Sequence, residues 1–478
     1  MSVVRQFARC RRGSIPIMTA LLLLPMIVIT GGAIDFVAHE RMRSKLQDGL
    51  DRGVLAAASL TQTVPTRETL ESFLLTAIDG PYDLSFTEET RTNLRVVEAD
   101  LEAEIDTSFL GLIGIEKLAA RVHSKAEERR SNIEISLILD ISGSMRFDAS
   151  GAYPGLGKPM RIDHLRPAAK GFLDVVLSDE AKDYTTVNIV TYAGQVNVGP
   201  VLFDNVFHGT RTHQKSSCLE LQAADFSLGM PNFASRTQAP HFTQSNHHDA
   251  LKANEQRSTE PWWCPDDPHA AIPPGQPDWV RNETADTDVS SVALLSNNRQ
   301  QLKDRIDGLK LYDGTGTPVA LKWGLMMLDP ALQPKLAQAR TSPTVASALG
   351  IDAKFADRPA AFDDEDTLKF MVLMTDGVIS SQVSPKDKSS PIQYYNDSAR
   401  NDTTISAANA AKHAANLCKA ARDNGVTVFT IGFDVNDTAA QQMSDCASPG
   451  FFYRVNALNI GDAFKSIATA IQQIKLVG

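Results

Sequence analysis

Residues Ile133 to Met145 read IEISLILDISGSM. Ile133, Ile135, Leu137, Ile138 and Leu139 form a short apolar run rich in β-branched residues, which is the pattern of a buried strand. The run ends in Asp140, followed by Ser142 and Ser144, and Gly143 gives the backbone freedom for a tight turn. One carboxylate and two hydroxyls on alternate residues leaving a strand converge on one point. Hard oxygen donors of this kind suit Mg²⁺ or Mn²⁺ rather than zinc. The same residues also suit a strand end followed by a serine-capped helix start. This stretch alone does not separate the two readings.

Two later stretches favour the metal. Leu368 to Met374 is a second apolar run and ends in Thr375-Asp376-Gly377. Asp313-Gly314-Thr315-Gly316-Thr317 precedes a helical pattern from Val319 to Leu325. Together the three stretches resemble the metal-ion-dependent adhesion site of von Willebrand factor type A domains. The resemblance implies Asp140, Ser142, Ser144, Thr315 and Asp376 as ligands, with Thr317 as the alternative threonine. It implies a divalent cation, Mg²⁺ first, with Mn²⁺ or Ca²⁺ also compatible. It further implies an external carboxylate, offered by a partner protein, at the remaining metal position.

Around these stretches strands and helices alternate. Pro167 to Leu177 reads as a helix, and Val187 to Val198 as two strands or a hairpin turning at Ala193-Gly194. Gln300 to Leu309 is a helix, Ser406 to Asn424 a helix and Val426 to Phe433 a strand. Asp462 to Leu476 is a closing helix with Phe464, Ile467, Ile471 and Ile474 on one side. This order predicts an α/β fold, a doubly wound, mostly parallel sheet with helices on both faces. Ligand loops then belong at the carboxyl ends of the strands, where Asp140 and Asp376 stand. From Phe203 to about Ser290 the alternation fails. This insertion on the metal-binding face carries His208, His213, His241, His247, His248 and His269, with Trp262, Trp263 and Trp279. It reads as a polar loop held by a disulfide, because no H-x₃-H or C-x₂-C spacing supports a transition-metal site. A second long loop spans Val378 to Thr404.

The chain has 478 residues and a net charge of −10. That length predicts two or three domains, and the charge argues against nucleic acid as a partner. Arg5, Arg9, Arg11 and Arg12 precede an apolar stretch from Ile15 to Val37, about 23 residues and enough to span a bilayer. A retained anchor fits better than a cleaved signal, since the stretch is long and no A-x-A site follows it. The basic flank puts the N-terminus in the cytoplasm. Cys10 precedes the span, whereas Cys218, Cys264, Cys418 and Cys446 follow it, as an oxidising exterior allows. Cys218–Cys264 and Cys418–Cys446 are the pairings closest in sequence.

Beyond the span, Met42, Leu46, Leu50, Val54 and Ala57 recur at helical spacing and predict one long rod to about Leu60. Its apolar stripe must pack on the next segment or on a partner's helix. Arg12-Gly13, the apolar span, Gly32-Ala33-Ile34-Asp35 and Leu55-Ala56-Ala57-Ala58 resemble TadE/TadG-type proteins of the tight-adherence (Flp) pilus-assembly system. Met18 stands where prepilin-like members carry Glu, so prepilin-peptidase processing is not expected. Arg67 to Ala77 reads as a helix, Asn93 to Ile105 as a strand pair or extended segment, Phe109 to Ile115 as a buried turn or short helix, and Leu118 to Ser124 as a strand.

The expected organisation is a tail and transmembrane anchor (1–38), an extended helix with a small pilin-like α/β module (39–132) and a metal-binding domain (133–478). It points to a single-pass inner-membrane protein whose main part is periplasmic and which meets other pilus-assembly proteins. The leading reading is a non-enzymatic, metal-dependent binding component. The second is a structural pilus subunit whose metal site stabilises the fold. A metal-dependent hydrolase ranks last, because no nucleophile or general base stands beside the motifs and Ser142 replaces the second Asp of a D-x-D-x-T motif.

Overall fold

The computed structural model describes residues 14–78, 80–90, 93–155, 158–243, 262–267, 290–393 and 398–477. The chain divides into two compact units, Met1–Arg130 and Ser131–Gly478.

In the first unit, α1 (Ser14–Ala57) is one continuous helix, followed by α2 (Thr66–Leu74). Strands β1 (Tyr82–Thr90), β2 (Leu94–Asp106) and β3 (Lys117–Arg129) form an antiparallel meander. Alternation along β2 puts Val97, Ala99, Leu101 and Ala103 on one buried face. That face and α2 receive the stripe of α1, where Leu46, Leu50, Val54 and Ala57 are fully buried. The stripe is therefore covered by this chain's own next segment. Residues 94–106 are one extended strand rather than a strand pair, because their partners are the separate strands β1 and β3. Strand β1 went unread, since its charged sequence YDLSFTEET buries only Leu84. The turn at 109–115 contains a short 3₁₀ stretch (Leu110–Ile113) and is exposed rather than buried.

The second unit is built on a six-stranded sheet. Its strands are β4 (Asn132–Asp140), β5 (Thr185–Tyr192), β6 (Ala293–Ser296), β7 (Thr367–Thr375), β8 (Thr427–Phe433) and β9 (Phe452–Val455). They lie in the order β9-β8-β7-β4-β5-β6, all parallel except the edge strand β6. Helices cover both faces. On one side lie α3 (Arg161–Val176), α4 (Arg299–Asp307) and α8 (Ile460–Val477). On the other lie α5 (Thr317–Met326), α6 (Ala407–Asp423) and α7 (Asp437–Cys446). This is the doubly wound, mostly parallel α/β sheet that the strand–helix alternation predicts.

Strand β4 serves both layers. Ile133, Ile135, Leu137 and Leu139 face α3 and α8. Its other face carries Glu134, Ser136, Ile138 and Asp140, all without exposure. Gly324 lets α5 approach that face, since a Cβ there would meet Ile138 Cδ1 at 2.3 Å. Buried Glu134 is neutralised by Lys369 at 2.5 Å.

The hairpin expected over 187–198 is absent. β5 ends at Tyr192, and Asn197 makes only isolated bridges to Cys218 and Ser291. A parallel strand leaves the sheet at its carboxyl end and cannot turn back beside itself. The insertion buries Leu219, Phe226, Phe233, Phe242, Trp262 and Trp263, so it is a packed layer rather than a polar loop. Both disulfides pair as expected, Cys218–Cys264 and Cys418–Cys446. His247, His248, His269 and Trp279 lie outside the described residues. Within the second long loop, residues Gln382–Pro385 and Asn401–Ile405 form a small antiparallel ladder.

Candidate metal centre

The sheet order reverses between β4 and β7, and their carboxyl ends carry Asp140 and Asp376. In open α/β sheets the crevice at such a switch point is where ligands bind. Asp140 is fully buried. Its Oδ1 accepts the Ser142 backbone N–H at 2.8 Å. Its Oδ2 accepts the hydroxyls of Thr375 at 2.7 Å and Tyr192 at 3.1 Å. The Ser142 and Ser144 hydroxyls lie 2.9 Å apart, and Ser144 donates to Asp376 Oδ1 at 2.6 Å. Four of the five expected ligand residues thus form one hydrogen-bonded chain.

Thr315 is half-buried on the adjacent Gly-rich loop, and its carbonyl accepts the Ser380 hydroxyl at 2.8 Å. Among the described residues no hydrogen bond joins its side chain to the other four. Thr317 starts α5 and is fully buried. Its hydroxyl is buried and lies beside that of Tyr192. The loop itself is held from the insertion. Trp262 accepts from the Asp313 N–H at 2.9 Å, and Trp263 accepts from the Gln195 N–H at 3.0 Å. Gly314 (φ +85°) and Gly194 pass under the Trp263 ring, which a Cβ would strike at 2.2 and 2.1 Å. Glycine is required at both places by this close approach.

The electrostatics are dominated by the burial of carboxyl groups. Burial raises the Asp140 carboxyl above its usual range. Burial, with the neighbouring Asp140 charge, pushes Asp376 up to about 7. Arg161 donates to Asp376 Oδ2 at 2.9 Å and lies 3.5 Å from Asp434 Oδ2. Two carboxylates therefore share one guanidinium, and Asp140 is held by hydroxyls and a backbone N–H instead. Fully ionised, the site has two uncompensated negative charges, the charge of one divalent cation. Two carboxylates with the neutral hydroxyl oxygens of Ser142, Ser144 and Thr315 are a donor set that fits a hard divalent ion. It lacks the three or more His, Cys, Asp or Glu side chains of a conventional metal cluster, and no such cluster occurs among the described residues. His213 and His241 are buried in the insertion with ring centres 5.8 Å apart, and they do not belong to the centre.

Tyr192, Thr375, Arg161 and Asp434 were not read from the sequence as part of the site. Asp434 had the same signal as Asp376, an apolar strand ending in Asp. Thr375 directly precedes Asp376. Arg161 had no signal, since only the packing of α3 brings it to Asp376.

The Flp pilus-assembly TadE/G-like family matches residues 13–60. That match is confined to the N-terminal helix and the residues just after it. The family match covers the membrane-sized helix and its packed stripe. No curated protein matches this chain. Among solved structures it is similar to the PilB minor pilin from Streptococcus sanguinis, at 13% identity over 82% of this chain and 79% of that one, with a TM-score of 0.35. It is also similar to the vWF domain of the type V pili tip protein Mfa5 from Porphyromonas gingivalis, at 12% identity over 72% and 97% of the two chains, with a TM-score of 0.36. A third is proximal thread matrix protein 1 from the mussel byssus with a zinc-occupied MIDAS motif, at 10% identity over 71% and 46%, with a TM-score of 0.28. None of these three similarities bears on what the chain does.

Proposed function

We propose that this protein is a membrane-anchored component of a Flp-type pilus assembly whose larger unit captures a partner protein through a divalent cation. The observation that supports it is the buried centre at the switch point, where the Asp140 and Asp376 carboxyls and the Ser142 and Ser144 hydroxyls form one hydrogen-bonded chain. Asp140, Ser142, Ser144, Thr315 and Asp376 would hold the ion, most simply Mg²⁺. A cation bound there supplies a Lewis-acidic position for one external carboxylate oxygen. The protein residues do the rest. Thr375 and Tyr192 fix the Asp140 carboxylate, Ser144 and Arg161 fix that of Asp376, and Trp262 and Trp263 hold the Gly-rich loop. Three of the five donors are neutral hydroxyls, so an acidic partner side chain can serve as the ion's remaining anionic ligand. No catalytic role is assigned to any residue.

The long apolar helix supports a single-pass anchor. In this reading it sits in the inner membrane with the N-terminus cytoplasmic and both units periplasmic, beside other pilus-assembly proteins. The test is capture from envelope extract by the solubilised protein in Mg²⁺, in EDTA and as Asp140→Ala. Retention by wild type in Mg²⁺ alone is expected. Equal retention in all three samples would remove the metal from the binding surface. A second reading, a structural pilus subunit, is favoured by the Arg161–Asp376 ion pair, which neutralises one carboxylate without any metal. Equal retention would favour it.

A further inference from the structure

The turn between β2 and β3 reads Phe109-Leu-Gly-Leu-Ile-Gly-Ile115 and has no charged residue. Leu112, Ile113 and Ile115 are 66%, 54% and 42% exposed, a cluster of large apolar side chains at one tip. The tip is docked on α1 at a place shaped to receive it. The Asp35 carboxylate accepts the backbone N–H groups of Ser108, Phe109 and Leu110 at 3.0, 2.7 and 2.7 Å. Gly31 and Gly32 lie against the same turn, where added Cβ atoms would meet the Phe109 ring at 2.3 Å and Leu110 Cδ2 at 2.9 Å. One turn further on, His39 meets the Ala119 carbonyl at 3.2 Å.

The three residues that interrupt the apolar span are thus its docking face for the turn. The contact lies within the span, not beyond it. A helix rises 1.5 Å per residue, so Gly31 lies about 9 Å along the axis before Val37, where the apolar stretch ends. Interfacial segments bury their apolar side chains to about this depth. Ile34, Phe36 and Val37 are themselves exposed at the same level. The backbone of the tip is also largely closed on itself. Besides the three N–H groups held by Asp35, those of Leu112, Gly114 and Ile115 find carbonyls at 3.1 Å within the turn, and the Ile115 carbonyl accepts the Thr107 hydroxyl at 2.5 Å. Paired backbone is the condition for entering hydrocarbon. Charge resumes at Asp106 on one side and Glu116 on the other.

We infer that the 109–115 turn is a second membrane contact, with Leu112, Ile113 and Ile115 inserted into the leaflet at the C-terminal end of the α1 span. This rests on the reading of residues 15–37 as an anchor. The occupant is lipid because the exposed tip is continuous with the exposed apolar surface of the span, and because Asp35, costly in lipid when unpaired, is covered by the tip itself. Two contacts, a span and a tip, fix the rotation of the first unit about the helix axis, which a single span leaves free.

The full chain in phosphatidylcholine–phosphatidylglycerol vesicles tests this. In a Cys10→Ser background, an NBD fluorophore is placed singly by I113C at the tip, L23C in the span or T87C on exposed β1. Doxyl groups at acyl position 5 or 12, and aqueous iodide, are the quenchers. The I113C label is expected to be quenched at least twofold more by the shallow doxyl than by the deep one, and to be several-fold less sensitive to iodide than the T87C label. An I113C label as open to iodide as T87C, with L23C still quenched by lipid, overturns the tip and leaves the anchor intact. An I113C label shielded from iodide but insensitive to doxyl lipid places a protein there and also overturns it. Failure of both doxyl lipids to quench L23C removes the anchor reading and the tip with it.

Discussion

Arg161 decides the charge balance of the Asp376–Asp434 cluster at the scale of single residues. It is the guanidinium paired with Asp376 and lying against Asp434, and it is itself buried. Removing one partner of a buried pair leaves uncompensated charge and costs about 3–5 kcal/mol. Arg161→Gln is therefore expected to lower stability by about that much in EDTA, and Mg²⁺ should restore more stability to the variant than to wild type. Urea unfolding with and without Mg²⁺ measures both; equal metal-induced shifts would show that Arg161 does not balance the centre's charge. His213 offers a separate test. Burial holds its imidazole down at about 4, its Nε2 meets the Ala239 carbonyl at 2.9 Å, and its Nδ1 accepts the Lys215 N–H at 3.2 Å. The folded chain thus favours the neutral ring, so the unfolded chain binds a proton first as pH falls. The stability contribution is complete above about 6.5, falls between 6.5 and 4, and is constant below. Asp266, pushed up to about 7 by burial, works in the opposite direction as pH rises. Comparison with His213→Asn isolates the histidine: wild type should lose stability relative to the variant between pH 7.5 and 4.5, and parallel curves would refute its burial as a neutral ring.

At the scale of elements, the period-four stripe of α1 is the joint of the first unit. Leu50 is fully buried among α2 and the small side chains Ala99 and Ala120, which let helix and sheet lie close. Leu50→Ala is expected to destabilise that unit by about 2–5 kcal/mol, the range for buried leucines whose site does not collapse. A loss well under this, measured by chemical unfolding, would mean that the stripe packs loosely. The proposed metal centre is likewise a product of element ends. β4, β5, β7 and β8 deliver Asp140, Tyr192, Thr375-Asp376 and Asp434 to one edge of the sheet, because parallel strands all place their carboxyl ends together.

At the scale of the whole molecule, two units with separate cores predict two unfolding transitions. In calorimetry of the detergent-solubilised chain, EDTA should lower one transition and Leu50→Ala the other. A single transition moved by both would show that the units unfold together. Much of this architecture was legible in the residues. The alternation of apolar runs and helical stripes dictates the doubly wound sheet, the D-x-S-x-S end of β4 and the Asp end of β7 mark the centre, and 3.6-residue spacing gives the α1 rod, because burial periodicity is written locally. The exposure of the 109–115 turn was not legible, since a short apolar run is the same letters whether it enters a core or faces outward. Nor were the roles of Gly31, Gly32 and Asp35, which depend on a turn more than seventy residues away. Strand β1 was hidden because one buried residue gives no period. The pairing of Arg161 with Asp376, and the Trp263 ring over the Gly-rich loop, were decided only by tertiary structure: each joins segments distant in sequence, where charge balance and close packing, not local pattern, select the neighbour.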